Sequence, residues 1–248
     1  GIRRMKAIET KNLSRRFGDR IAVDSLDMSV DEGELFALLG VNGAGKTTTI
    51  RMLTGLLPPS GGEAWLLGRS ILTDSMQARQ LTAVSPQESA VAPKLTVREN
   101  LELMAGVYGA DRAAAREAAE ELLRDFGLGE VEKQRAKSLS GGWQRRLSIA
   151  MALVTKPQIL FLDEPTLGLD VLARRELWKH VQALKGRVTV VLTTHYMEEA
   201  EALADRIGIM STGRLKAVGT AAALKAQTKT DNIEDAFVAL AGEGRELL

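Results

Sequence analysis

One short stretch constrains the fold of this chain more than any other, and it reads GVNGAGKTT from Gly40 to Thr48. The stretch matches the pattern G-x-x-x-x-G-K-[ST]. An apolar run that ends at Leu39 precedes it, and helical periodicity from Thr47 to Leu53 follows it. A glycine-rich loop between a strand and a helix turns backbone N–H groups inward, and the helix N-terminus adds positive potential. The pattern therefore predicts a site for a chain of phosphates.

Roles within this phosphate loop (residues 40–48) follow from residue type. Lys46 can reach the outer phosphates of a nucleotide, and the hydroxyl of Thr47 can ligate Mg²⁺. The alternative is a glycine-rich turn that only enters a helix. The residues expected to line the phosphate site are Gly40, Asn42, Gly43, Ala44, Gly45, Lys46, Thr47 and Thr48.

The charge balance and the lack of cysteine narrow the classes of function. The 248 residues carry 33 basic and 32 acidic side chains, which gives a formal net charge of +1. So small a net charge supplies no large field to attract nucleic acid or anionic lipid. The absence of cysteine excludes disulfides, thiolate nucleophiles and cysteine-ligated metal sites, and it is compatible with a reducing cytoplasm.

Uncharged runs in the sequence are short. The longest extend from Leu35 to Gly45 and from Met52 to Gly62, whereas a helix that crosses a bilayer needs about 20 apolar residues. The first ten residues, GIRRMKAIET, lack the apolar core of a signal peptide. We therefore expect that the chain itself does not span a membrane.

Apolar runs and helical patterns alternate along much of the chain. Alternating residues predict strands at Lys6–Leu13 and Glu63–Leu67. Continuous apolar runs, typical of strands buried on both faces, occur at Leu81–Ser85, Gln158–Leu162, Val188–Thr193 and Ile207–Met210. Helical periodicity covers Thr47–Leu53, Val171–Leu184 and Met197–Leu203. This alternation indicates an α/β fold with a parallel sheet.

Between Val97 and Val154 three helical stretches replace the strand pattern, at Val97–Tyr108, Arg112–Phe126 and Gly141–Val154. We interpret residues 88–156 as a helical subdomain inserted into a core of residues 1–87 and 157–219. Two further helices are expected in a tail of residues 220–248, with a polar stretch from Gln227 to Asp231 between them.

Two adjacent carboxylates end a later apolar run, ILFLDEP from Ile159 to Pro165. Ligands of open α/β sheets bind at the carboxyl ends of the strands. Asp163 therefore suits the outer shell of an Mg²⁺ bound at Thr47, and Glu164 would point at the γ-phosphate as a base or water-orienting group. Two acids at a strand end can also be simply solvated.

Three motifs in this order resemble the nucleotide-binding domain of ATP-binding cassette (ABC) proteins: the phosphate loop, the signature Leu139–Gly142 (LSGG), and Ile159–Pro165. The resemblance extends from about Ile8 to about Leu240, and the signature is not shared by other P-loop families. It implies a P-loop NTPase (RecA-like) core with a mainly parallel sheet, an N-terminal antiparallel β subdomain and an inserted α-helical subdomain. It also implies an ATPase that uses ATP and Mg²⁺.

Four further residues match the family pattern: Gln87 the Q-loop, Asp170 the D-loop, His195 the switch histidine and Phe17 the aromatic that stacks on adenine. Each also has a plainer interpretation. Gln87 can be a turn residue, His195 a structural histidine, Asp170 a helix cap and Phe17 a cover for the sheet.

The resemblance thus implies two sets of residues for the reaction. The catalytic set is Lys46, Gln87, Glu164 and His195. The metal-binding set is Thr47, Gln87 and Asp163.

The signature resembles half of a binding site that lies away from the phosphate loop of its own chain. Ser140 and the amides of Gly141 and Gly142 would hold the γ-phosphate of an ATP bound to a second nucleotide-binding domain. The nucleotide then joins two subunits, and hydrolysis weakens their interface. Trp143 departs from the commoner glutamine of this motif. An ordinary capped helix uses the same N–H groups.

The stretches LTVRENL, EPTLGLDVLARRELW and IEDAFVALAG resemble ATP-binding subunits of type 2 ABC exporters. In that group such subunits lie at the cytoplasmic face of the cell membrane and pair with integral membrane subunits, whose coupling helix would fit a groove around Gln87 to Val97. The alternative is a soluble ABC ATPase that acts on nucleic acid or ribosomes. Those proteins usually have fused cassettes, coiled-coil insertions or basic arms, so we expect no nucleic-acid partner.

Overall fold

The computed structural model describes residues 4–242, which form two β-sheets and the helices that flank them. The strands are β1 (Lys6–Phe17), β2 (Arg20–Asp31), β3 (Leu35–Leu39), β4 (Gly61–Leu66), β5 (Arg69–Ser70), β6 (Thr82–Ser85), β7 (Ile159–Asp163), β8 (Thr189–Thr194), β9 (Arg206–Ser211) and β10 (Arg214–Gly219). The helices are α1 (Lys46–Leu53), α2 (Ser75–Gln80), α3 (Val97–Val107), α4 (Arg112–Asp125), α5 (Gly141–Ala152), α6 (Val171–Gln182), α7 (Met197–Leu203), α8 (Ala221–Thr228) and α9 (Ile233–Ala241).

The larger sheet has six strands in the order β10-β9-β3-β8-β7-β6. Strands β9, β3, β8, β7 and β6 are parallel, and β10 is antiparallel to β9. Strands β3, β7 and β8 are buried along their whole length. Their carboxyl ends meet at one edge of the sheet, where an open α/β fold binds its ligands.

Each face of the larger sheet has its own hydrophobic core. Because successive side chains of a strand point to opposite faces, Leu35, Ala37 and Leu39 of β3 pack into a core with helices α3 to α7. Phe36 and Leu38 pack on the other side, against α1 and the four-stranded antiparallel sheet of order β2-β1-β4-β5. The antiparallel sheet and α1 thus hold the phosphate loop from one side.

Side-chain caps define where the inserted helices begin. Thr96 and Glu99 form a capping box at the start of α3. Asp111 accepts a hydrogen bond from the N–H of Ala114, at 2.8 Å, at the start of α4. These caps satisfy N–H groups that have no partner in the first turn of a helix.

The predicted α/β fold is confirmed, with its mainly parallel sheet, its N-terminal antiparallel sheet and its helices between β6 and β7. The expectation that Leu81–Ser85 is buried on both faces is wrong for Thr82, Ala83 and Val84, which are half-buried. The reason is that β6 is the edge strand of its sheet.

Two strands, β2 and β10, have no clear pattern in the sequence. The register between β1 and β2 shifts at four places, and each shift interrupts the alternation of buried and exposed residues. Strand β10 lies at the other edge of the larger sheet and is mostly half-exposed. Tertiary pairing, rather than local apolar pattern, therefore determines both strands.

The helices are short in comparison with the thickness of a bilayer. Helix α4 has 14 residues, and a helix that crosses a membrane needs about 20 apolar residues. Within residues 4–242, no helix combines the length and the apolar composition that a membrane span requires.

A buried ion pair ties the amino ends of β3 and β9 together. Glu34 is buried and accepts hydrogen bonds from Nε and Nη2 of Arg206, with 3.0 Å between Nη2 and Oε2. Glu34 also accepts the N–H of Asp31 at 2.8 Å, and Arg206 donates to the carbonyl of Ser29 at 2.7 Å. This network joins β2, β3 and β9 at the edge opposite the carboxyl ends.

We expect Glu34→Gln to lower the free energy of unfolding by about 2 kcal/mol, because Arg206 loses a charged, two-branched partner. Urea denaturation followed by circular dichroism measures the change. Glu176→Gln is the control, since Glu176 pairs with Lys179 at the surface and should leave the midpoint unchanged. Equal midpoints for the two variants would contradict the role given to Glu34.

Candidate nucleotide-binding site

Two constraints require glycines in the phosphate loop, namely positive φ angles at Gly43 and Gly45 and close neighbouring backbone at Gly40 and Gly45. Gly43 and Gly45 have positive φ angles of 83° and 104°, which side-chain-bearing residues rarely adopt. A Cβ atom on Gly45 would lie 2.7 Å from the carbonyl oxygen of Ala22, and one on Gly40 would lie 2.6 Å from that of Met210. Strands β2 and β9 thus fix the path of the loop.

The loop leads directly into α1. Asn42 is exposed at its tip, Ala44 is buried, and Thr48 is half-buried in the first turn of the helix. Gly45 is the N-cap and supplies no side chain to the free N–H groups. Those groups have no partner within the helix, so this end of α1 can bind an anion.

Lys46 and Glu164 form a buried ion pair across the site. The Nζ of Lys46 lies 2.7 Å from Oε1 of Glu164, and the two side chains are 5% and 6% exposed. The same ammonium donates to the carbonyl of Gly40 at 2.5 Å. The pair joins the loop after β3 to the end of β7, and it holds the ammonium at the mouth of the phosphate loop.

Thr47 and Asp163 bring oxygen ligands together beside this pair. The hydroxyl of Thr47 lies 3.1 Å from Oδ2 of Asp163, and Thr193 donates to Oδ1 at 2.6 Å. Hydroxyl and carboxylate oxygens are the ligands that Mg²⁺ prefers, and this ion usually keeps positions for water and substrate phosphates. The donor set therefore fits Mg²⁺.

Glu164 is held from several sides in an uncommon backbone conformation. Its φ angle is +48°, and its N–H donates to the hydroxyl of Thr193 at 3.0 Å. Arg145 of α5 donates to its carbonyl oxygen at 3.4 Å. Burial lowers the pKa of Arg145, with Asp163 and Glu199 opposing that shift. A constrained carboxylate at a strand end is the arrangement that a base for water requires.

His195 completes the cluster from the end of β8. Its Nδ1 lies 2.9 Å from Oε2 of Glu164, and its side chain is 28% exposed. When Glu164 is ionised, Nδ1 carries a proton and donates it to the carboxylate, and Nε2 lies on the other side of the ring, where it can donate to a substrate oxygen when it too is protonated. The cluster thus offers one cation, two carboxylates, a hydroxyl and an imidazole to a phosphate chain.

Comparisons with known proteins agree with this geometry. The family model described as ABC transporter matches residues 23–167. The chain is 43% identical over 240 residues to the probable multidrug ABC transporter ATP-binding protein YbhF of Escherichia coli, covering 94% of this chain and 41% of that protein. It is 45% identical over 221 residues to the daunorubicin/doxorubicin resistance ATP-binding protein DrrA of Streptomyces peucetius, covering 89% of this chain and 67% of that protein.

The chain belongs to the ABC transporter family. A solved structure of an ATP binding subunit of an ABC transporter has the same fold, with a TM-score of 0.81 and 31% identity, over 94% of this chain and 99% of that one. The chain spans less than half of the E. coli relative.

The ABC signature lies outside the cluster around Lys46. Ser140 is exposed, and its hydroxyl accepts the N–H of Trp143 at 3.5 Å within its own helix. Gly142 approaches the start of α6 so closely that a Cβ on it would lie 3.1 Å from that of Ala173, and Gly141 lies beside Leu169. Within the described chain the hydroxyl of Ser140 makes no hydrogen bond to the phosphate loop.

The remaining predicted residues also lie apart from the cluster. Gln87 is exposed and makes no side-chain hydrogen bond to any described residue. Phe17 is 43% exposed, and the guanidinium of Arg15 lies 4.6 Å from its ring centre. Asp170 caps α6 by accepting the N–H of Ala173 at 2.8 Å, which is the plainer of the two roles considered for it.

Two residues at the site have no motif that points to them. Thr193 contacts both Asp163 and Glu164, and Arg145 reaches Glu164 from the helix that follows the signature. One feature of the sequence does point to Thr193, because a polar residue at the end of an apolar strand lies at the edge of the sheet where ligands bind. Arg145 has no such signal, because only the packing of α5 brings it near β7.

Lys46→Ala should abolish measurable ATP binding, since it removes the ammonium that would contact the phosphates through charge-assisted bonds of about 1.5 to 3 kcal/mol each. Isothermal titration calorimetry with MgATP measures the loss. The control is Arg51→Ala, which removes an exposed cation from the same helix. Unchanged affinity in a folded Lys46→Ala protein would refute the assignment of the phosphate site.

Proposed function

We propose that this chain is the ATP-hydrolysing subunit of an ABC exporter, in which two cassettes close around ATP and move partner membrane subunits. The observation that carries the proposal is the cluster of the buried pair Lys46 and Glu164 with the partly exposed His195, beside Thr47 and Asp163. Two relatives are named for multidrug transport and for daunorubicin/doxorubicin resistance. These names favour export over the alternative of action on nucleic acid or ribosomes, which the formal net charge of only +1 does not favour.

In the proposed mechanism each group of the cluster has one task. Lys46 exchanges the carboxylate of Glu164 for phosphate oxygens and holds the triphosphate in the loop. Glu164 orients the attacking water and accepts its proton. His195 donates its Nδ1–H to Glu164, and in the imidazolium form it also donates its Nε2–H to an oxygen of the γ-phosphate.

Thr47 and Asp163 are the residues that would hold Mg²⁺, with Gln87 as a further proposed ligand. The ion, when bound, neutralises negative charge on the phosphate oxygens. Thr193 keeps the Asp163 carboxylate in place through its 2.6 Å hydrogen bond. Phe17 is proposed to stack on the adenine, a role for which its exposed ring leaves room.

The signature is proposed to act on a second cassette. Ser140 is exposed at the N-terminus of α5, where its hydroxyl and the N–H groups of Gly141 and Gly142 can bind the γ-phosphate of an ATP held by that cassette. Asp170 lies at the start of the neighbouring helix α6 and is proposed to face the same interface. ATP thereby joins the two chains, and its cleavage releases them.

A groove beside the edge strand β6 is the proposed place for a membrane subunit. It has a volume of about 930 Å³ and is lined by Val84, Ala90, Met104, Tyr108 and Met151, among others. The ring of Tyr108 is mostly exposed. Exposed apolar surface of this kind marks interaction sites. With a membrane subunit bound here, the chain is proposed to lie at the cytoplasmic face of the membrane.

The proposal also divides the chain into parts. Residues 1–87 and 157–219 form the ATP-binding core with its β subdomain, residues 88–156 the helical signature subdomain, and residues 220–248 the tail. Residues 1–3 and 243–248 of this division lie outside the described part of the chain. The position of α3, α4 and α5 between β6 and β7 supports it.

Glu164→Gln should bind MgATP and form a stable dimer, since the amide keeps the shape of the side chain but cannot accept a proton. Its kcat should fall about 10²- to 10⁴-fold, the usual contribution of a general base. Phosphate release and size-exclusion chromatography with light scattering measure the two effects. Turnover at the wild-type rate would refute the assignment of Glu164.

Ser140→Arg should leave ATP binding by the monomer unchanged and abolish both dimerisation and turnover, because the arginine fills the γ-phosphate position of the opposite site. Ser138→Arg is the matched control, since Ser138 is also exposed but precedes the signature. Light scattering in a Glu164→Gln background gives the oligomeric state. A dimer that persists with Ser140→Arg would count against a site shared between two chains.

A further inference from the structure

A row of stacked side chains extends from His195 to helix α6. The ring centres of His195 and Tyr196 are 4.1 Å apart, with 37° between the ring planes. The guanidinium carbon of Arg174 lies 4.1 Å from the centre of the Tyr196 ring. A cation over an aromatic face and a close, tilted pair of rings are both favourable contacts. The row thus connects helix α6, which carries Arg174, to the switch histidine.

A second contact joins the same two segments one turn further along. Trp178 of α6 donates to Oε2 of Glu199 at 2.8 Å, and Thr166 donates to the same oxygen at 2.6 Å. Residues 174 and 178 share one face of α6, because residues four apart on a helix are neighbours. Glu199 is completely buried, and burial raises its pKa. Helix α6 and the segment 195–199 are therefore held together at two levels.

We propose that Tyr196 and Arg174 are positioning residues for His195. The imidazole is partly exposed, and the terminal torsion of a histidine side chain has a broad energy profile. The hydrogen bond to Glu164 restrains one edge of the ring, and the face of Tyr196 restrains its plane. Arg174 in turn restrains Tyr196, and its Nε is buried without a hydrogen-bond partner among residues 4–242. Arg174 is thus held here by stacking on Tyr196 and not by a hydrogen bond from its Nε.

Helix α6 also connects the row of stacked side chains to the signature and to the loop of Asp170. Asp170 caps α6, and Gly142 of the signature packs against Ala173 one residue before Arg174. A shift of the start of α6 therefore reaches His195 through Arg174 and Tyr196. In the proposed dimer, contact at the Asp170 loop would orient the histidine of the same chain. This inference rests on the proposed function for its effect on ATP, but not for the orientation of His195.

The orientation is measured on the chain without nucleotide, through the ¹⁵N chemical shifts of the imidazole nitrogens. The sequence contains two histidines, so His180→Gln assigns the His195 signals. We expect Nδ1 of His195 to carry the proton in wild type and in Tyr196→Phe, which keeps the ring. Tyr196→Ala and Arg174→Ala should shift both nitrogen signals towards the average of the two tautomers.

ATP hydrolysis provides the second measurement. Tyr196→Ala and Arg174→Ala should lower kcat about tenfold, part of the contribution expected of a group that acts on the γ-phosphate. KM should stay within about twofold, because neither residue contacts the phosphate loop. Tyr196→Phe should restore kcat. A purely structural stack would instead lower the melting temperature and leave the nitrogen shifts and kcat in place.

Unchanged ¹⁵N shifts and kcat in both alanine variants would overturn the proposal, as would a Tyr196→Phe protein as impaired as Tyr196→Ala. Should Tyr196→Ala fail to fold, Arg174→Ala decides alone, since Arg174 is half-exposed and its loss leaves no large cavity. A wild-type chain without ATPase activity would refute the proposed function, and the nitrogen shifts would still test the orientation.

Discussion

The site depends on one buried ion pair, that between Lys46 and Glu164. Each partner comes from a different segment, the loop after β3 and the end of β7, and both charges are almost completely removed from water. An isolated charge at this depth would be very unfavourable. Each side chain therefore restrains the other, and the carbonyl of Gly40 holds the ammonium in place. The phosphate loop and the end of β7 keep their relative position because neither charge has a better partner nearby within the described chain.

The topology of the larger sheet explains why a few residues are enough to form the site. Parallel strands β3, β7 and β8 lie side by side and end at the same edge. Lys46 follows β3 through the phosphate loop, Asp163 is the last residue of β7, and His195 follows β8. Three segments far apart in sequence thus deliver their polar groups to one place. The signature comes from a helix inserted between β6 and β7, and its serine faces outward. One chain thus contains a complete phosphate loop and a separate surface with the chemistry to bind a phosphate.

Much of this arrangement is predictable from the sequence. The phosphate loop has a local signal, because the glycines, Lys46 and Thr47 act within one strand–loop–helix unit. Asp163 and Glu164 have another, since they end a continuous apolar run. The registers of β2 and the edge position of β6 depend on pairing between distant segments, and no local pattern records them.

The residues that support the site could not be predicted from the sequence either. Arg145 reaches Glu164 only because α5 packs against β6, the neighbour of β7, and Tyr196 contacts Arg174 only because α6 and α7 lie together. Motifs identify the groups that touch a ligand, whereas the groups that hold them in place depend on three-dimensional packing. The roles of the site residues themselves remain predictions until the variants are measured.

Glu164 has a left-handed backbone conformation, although the position needs a carboxylate side chain. An L-residue in that region costs about 1 kcal/mol relative to glycine. A glycine would suit the turn better, yet it would leave Lys46 as a lone buried cation and remove the group that meets His195. The chain accepts a less stable turn here to keep a carboxylate, as is common where chemistry and foldability compete. Because a lone buried cation costs more than the strained turn, selection for stability alone would also retain an acid at this position.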